Sequence, residues 1–136
     1  MLWLWATIQQ NNNSTKQLTN MKTVTPSKEF LYGDQIEWEE VAPGMKRQIM
    51  GFDGKVMMVK VAFEKGGVGQ LHEHFHSQVT YVESGEFEMT IGDEKKTLKG
   101  GDAFYIPPHV MHGCVCLQDG VLIDVFSPVR EDFLTD

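Results

Sequence analysis

The chain has little cysteine, only Cys114 and Cys116 among 136 residues. Side chains two apart on a strand run parallel rather than convergent, so this pair makes a poor disulfide. That excludes a disulfide-stapled scaffold and points to a reducing, cytoplasmic setting. Basic residues are also scarce, 12 Lys+Arg against 19 Asp+Glu for a net charge of −7. Such a surface has no electrostatic grip on nucleic acid or an anionic membrane, and neither is expected as a partner. Long apolar runs are missing too. Leu2-Trp3-Leu4-Trp5-Ala6 is apolar but too short for a membrane span, and it lacks the basic flank of a signal peptide. Nor does any stretch before the last few residues carry a 3.6-residue hydrophobic period, which leaves no candidate for a core helix.

What is present is a series of short extended runs. Ile36–Val41 ends at the turn Ala42-Pro43-Gly44, and Met45–Phe52 and Lys55–Glu64 flank Asp53-Gly54, a strong hairpin signal. In the second of these, Met57, Val59, Val61 and Phe63 share one face. Glu86–Ile91 alternates, with Phe87, Met89 and Ile91 facing inward. Ala103–Ile106, Val110–Leu117 and Val121–Phe126 complete the set, the last two separated by the turn residues Gln118-Asp119-Gly120. Many short strands with Gly-rich turns mean an all-β sandwich or barrel. Cys114 and Cys116 then read as small apolar residues filling its interior. At this length one domain is expected, spanning 21–136. Residues 1–20 include a polar Gln/Asn/Ser/Thr tract and read as an extension outside the core, with Met21 the more natural start. A packed or swapped strand anchored by Trp3 and Trp5 is the alternative.

The final strand has two different faces. Leu122, Asp124 and Phe126 share one, and Val121, Ile123 and Val125 the other. Only one can meet the core. If Asp124 points into the barrel mouth, the aliphatic face needs a cover, and a homodimer would supply it. A carboxylate on an apolar strand is costly unless paired or functional.

Three of the five histidines, His72, His74 and His76, stand beside Gln78 in the Gly66–Gly85 stretch. His112 follows Ile106-Pro107-Pro108. Imidazole is the commonest metal ligand in proteins, and an H-x-H pair on a strand points both rings to one face. A straight strand from His72 to Gln78 would cover roughly 20 Å at about 3.3 Å per residue. Metal–nitrogen bonds are only about 2.0–2.1 Å long. If both bind one ion, the backbone must bend between His74 and Gln78, and His76 swings away.

These residues resemble the cupin signature. Gly66, His72, His74, position 78 and Gly85 fit the first motif, with Gln78 in place of the usual Glu. Gly101, Pro107 and His112 fit the second, with His109 where Gly is expected and Cys116 where Asn is expected. The implied fold is a single-domain cupin jelly roll. The H-x-H-x-H-x-Gln run, the Ile-Pro-Pro-x-x-x-His turn and the ending Asp124-Val125-Phe126-Ser127-Pro128-Val129-Arg130-Glu131-Asp132-Phe133 are similar to the small cupins of pectin and alginate breakdown. Those cupins convert 4,5-unsaturated monouronates into linear ketonised sugars. That resemblance implies His72, His74, Gln78 and His112 as ligands of one divalent transition metal (Ni, Zn, Fe, Mn or Co). It implies Asp124 and Arg130 as catalytic residues, with Phe126 and Arg130 binding a small anionic sugar.

Four neutral ligands would leave the ion its full charge as a Lewis acid. Arg130 would clamp the uronate carboxylate, Phe126 would wall the sugar face, and Asp124 would move a proton. The competing expectations are a non-catalytic cupin that binds a small acid or sugar, a sugar isomerase, and an iron-dependent dioxygenase.

Overall fold

The computed structural model describes residues 24–134; the extension assigned to 1–20 lies outside them. Eight strands occur among the described residues: β1 (Glu39–Ala42), β2 (Met45–Phe52), β3 (Met57–Phe63), β4 (Val68–His72), β5 (Ser77–Ile91), β6 (Glu94–Lys99), β7 (Ala103–Ile106) and β8 (His112–Ser127). Two short 3-10 turns, Gly33–Gln35 and Glu131–Phe133, are the only helical pieces described. No described helix is long and apolar enough to cross a membrane. The all-β class expected from the run of short strands is what the chain forms.

Every pairing is antiparallel, in the order β1-β2-β3-β8-β5-β6, with β4 also on β8 and β7 also on β5. The two long strands carry the architecture. The second half of β8, from Gly120 to Phe126, lies between β3 and the first half of β5. Its first half, from His112, lies between β4 and the second half of β5. The β5–β8 register shifts repeatedly between Val82 and Phe87, which is where both strands bend. Glycine makes the bend possible. A Cβ on Gly120 would stand 2.2 Å from Ser84 O, and Gly85 has φ +84 and a Cβ on it would stand 2.5 Å from Gly120 Cα. The segments read as separate strands, Val110–Leu117 and Val121–Phe126, are thus one strand, because Gln118-Asp119-Gly120 bends the chain without reversing it. The β2–β3 hairpin is as expected: Asp53 Oδ1 accepts the N–H groups of Lys55 and Val56 at 2.7 and 3.2 Å.

The bend folds the sheet over a core of Met57, Val59, Val61, Phe63, Val82, Phe87, Cys116, Leu122, Phe126 and Val129. Phe63 and Phe87 meet edge to face across the two layers at 5.2 Å. The inward face of the last strand is as read, with Leu122 and Phe126 buried. Both cysteines are free thiols, and Cys116 packs in the core.

Candidate metal centre

His72 closes β4 directly opposite His112, which opens β8. Between His72 and Ser77 the chain leaves strand geometry, so His74 stands on a turn and not on the same strand as His72. The H-x-H pair therefore converges through a bend rather than through strand alternation. Ring centroids are 5.6 Å apart for His72–His74, 4.2 Å for His72–His112 and 4.8 Å for His74–His112. One ligand atom from each of the three lies within 4.8 Å of the others, a group that could hold a metal ion.

Backbone carbonyls set the tautomers. The Nδ1 atoms of His72, His74 and His112 lie 2.7, 3.1 and 2.8 Å from the oxygens of Gln70, His76 and Val110. A carbonyl only accepts, so each Nδ1 carries the hydrogen and each Nε2 keeps its lone pair. His112 Nε2 is buried without a partner, as a vacant ligand atom would be. Gln78 adds a fourth donor. Its Nε2 donates to Thr80 Oγ1 at 3.0 Å and Asp124 Oδ1 at 3.3 Å, which turns Oε1 toward His74 Nε2 at 3.0 Å. Two lone pairs facing each other at that distance repel unless a cation lies between or beside them. Burial, helped by the charge of Arg130, lowers the His74 pKa, so a proton is a poor occupant. Burial also brings His112 down to about 4, keeping it neutral. The donor set fits a divalent transition metal.

The rest of the predicted site faces the same cavity of ≈ 130 Å³, lined by His72, Gln78, His112, Asp124, Phe126 and Arg130 among others. Asp124 Oδ1 accepts Thr80 Oγ1–H at 2.7 Å. Burial raises its pKa to about 6, against the lowering pull of Thr80, Arg130 and Gln78. Arg130 Nε and Nη2 donate to Asp132 Oδ1 and Oδ2 at 3.0 and 2.8 Å. That uses the side-on edge of the guanidinium and leaves the end-on edge, Nη1 with Nη2, for a ligand. The guanidinium also stacks 4.2 Å over Phe133 and lies 5.2 Å from the Phe126 centroid. Phe126 is a core residue as much as a cavity wall, since it is only 3% exposed.

His76 turns away from the three-histidine group to Val129 O. His109 takes φ +63 where the cupin pattern has Gly, so the turn keeps its left-handed conformation with a side chain added. Sequence reasoning passed over Thr80, which touches both Gln78 and Asp124. Its place two residues after Gln78, on the same strand face, was the available signal. Phe133 closed the run that carried the resemblance but was given no role, and Arg47 was passed over. Arg47 stacks on Phe133 at 4.0 Å, and no pattern in the sequence marked Arg47.

Residues 59–126 match the Cupin domain family. A pectin degradation protein, KdgF of Dickeya dadantii (strain 3937), is 47% identical over 107 residues, covering 77% of this chain and 97% of that protein. An RmlC-like cupin from Shewanella frigidimarina NCIMB 400 superposes with a TM-score of 0.78 at 50% identity, over 79% of this chain and 97% of that one. KdgF from Halomonas sp. does so with a TM-score of 0.75 at 41% identity, over 79% and 99%. With one histidine on each side of the β4–β8 ladder, a third on the turn between β4 and β5, and relatives alike over nearly their whole length, this chain belongs to the cupin family.

Proposed function

We propose that the protein is a metal-dependent enzyme that opens and ketonises 4,5-unsaturated monouronates from pectin or alginate breakdown. The observation that carries this reading is the meeting, around one cavity, of a histidine group that could hold a metal ion, a buried carboxylate with a raised pKa and a half-used arginine fork. Its likeness to pectin degradation proteins supports the substrate class.

The end-on edge of Arg130 receives the uronate carboxylate with two parallel hydrogen bonds. Phe126 packs against the sugar face. His72, His74, Gln78 and His112 hold the metal, which when bound supplies a Lewis acid of undiminished charge for a substrate oxygen. Asp124 takes the proton of the anomeric hydroxyl as the C1–O5 bond breaks. The enol released at C5 collapses to a ketone as C4 gains a proton. One proton leaves oxygen and one arrives at carbon, so the reaction is an isomerisation with no oxidant. A carboxyl with its pKa near 6 can both take and return that proton.

We also infer a homodimer. On the outer face of the sheet, Met58, Val125, Val79 and Tyr105 lie opposite one another across four strands, and Ile123 and Tyr81 form the row beside them. Val79, Tyr81 and Tyr105 are each half exposed, on a sheet whose other face already meets the core. A second copy related by a two-fold axis covers this patch with itself.

Metal-loaded protein incubated with unsaturated galacturonate should abolish the ultraviolet absorbance of the conjugated double bond. Binding of the sugar without that loss would instead mark a non-catalytic sugar-binding cupin.

A further inference from the structure

We propose that His76 is a positioning residue that holds Arg130 in the conformation able to receive a carboxylate. The inference deepens the reading above and rests on it for the identity of the carboxylate.

Arg130 lies in the middle of a very tight turn. Its φ of −79 and ψ of 88 are near those of an inverse γ-turn, and the N–H of Glu131 reaches back to Val129 O at 3.1 Å. Asp132 and Phe133 hold the guanidinium, but the backbone from which it springs is closed by only a single bond across three residues. The same oxygen accepts a second bond, from His76 Nε2 at 3.2 Å. The acceptor is a carbonyl, so Nε2 carries the hydrogen. Val129 is fully buried and its N–H points to Gly54 O at 3.4 Å, so the residue preceding Arg130 is held at both its N–H and its C=O.

The His76 ring has no other polar use. It is buried, and its Nδ1 has no partner. Phe75 lies against it at 3.9 Å and Phe126 stands edge-on at 6.4 Å, which fixes the ring plane. A position that needed only an aromatic filler would avoid burying two nitrogens, one of them unsatisfied. The retained polarity is explained by the one bond it makes. His76 also accepts the Nδ1–H of His74 on its own carbonyl, so a single residue aligns a ligand with its backbone and the arginine with its side chain.

The test compares His76→Phe, which keeps a ring and loses the donor, with His76→Gln, whose Nε2 can replace it. Metal-loaded protein is titrated with saturated galacturonate by calorimetry and assayed for turnover of the unsaturated sugar. His76→Phe should weaken galacturonate binding and raise KM about tenfold with metal content unchanged, and His76→Gln should recover to within about threefold. On an Arg130→Ala background, His76→Phe should change affinity no further. Equal behaviour of the two variants, or additive losses in the double variant, would overturn the proposal. A readout that needs no sugar separates this from the proposed reaction. The Arg130 Nε–H resonance should be sharp and slow to exchange in the native protein and His76→Gln, and broadened in His76→Phe. If it is unchanged in His76→Phe, His76 does not position Arg130, whatever the protein turns over.

Discussion

Asp124 is the residue at which catalysing and merely binding make opposite demands. Asp124→Asn keeps an oxygen to accept from Thr80 and Gln78 and removes the proton acceptor. Turnover should fall about 10²-fold or more, while metal content and galacturonate affinity hold. Steady-state rates beside metal analysis and calorimetry check this; full turnover by a folded variant removes Asp124 from the mechanism. Arg130→Lys should raise KM as well as lower kcat, because a lysine has neither the end-on fork nor the planar stack on Phe133. The histidines were legible at this scale because their spacing, flanked by Gly66 and Gly85, is rare without a ligand to share. Thr80 was not. A threonine in a strand needs no explanation, and its bond to Asp124 joins residues 44 apart that only the β5–β8 pairing brings together.

Among the elements, β5 and β8 decide the shape, and their crossing admits no side chain. Gly120→Ala would set a methyl against Ser84 O and Gly85 Cα, both backbone atoms that cannot swing aside. It should cost about 1–3 kcal/mol or more, read as a lowered urea midpoint with an unchanged slope. The β2–β3 hairpin was legible from Asp53-Gly54 and from the alternation Met57-Val59-Val61-Phe63, since local chemistry alone specifies both. β4 was not, because its exposed Val-Gly-Gln-Leu-His run offers no alternation; it is a strand only because β8 lies beside it. The same cause joined the two segments of β8. Gln-Asp-Gly reads as a reversal until the partner strand is seen bending with it.

For the molecule as a whole, the proposed homodimer rests on the half-exposed apolar outer face of the sheet. Ile123→Lys places a charge in the row beside Tyr81. Light scattering should report a dimer for the native protein and a monomer or aggregate for the variant. A native protein that runs as a clean monomer would remove the dimer from the account. The spacing of Val121, Ile123 and Val125 announced this face, but its breadth was invisible in the chain, because Met58, Val79 and Tyr105 come to it from three other strands.

Because β5 and β8 each run through both layers of the fold, neither layer can open while the other stays closed. Amide protons along the two strands should therefore exchange with deuterium at a common slow rate, set by global unfolding and not by local fraying. Metal added at His112, at one end of β8, should slow exchange at Leu122 near the other end by the same factor as at Cys114. Two separate exchange classes for those amides would mean that the bend at Gly85 and Gly120 is a joint between two independent halves.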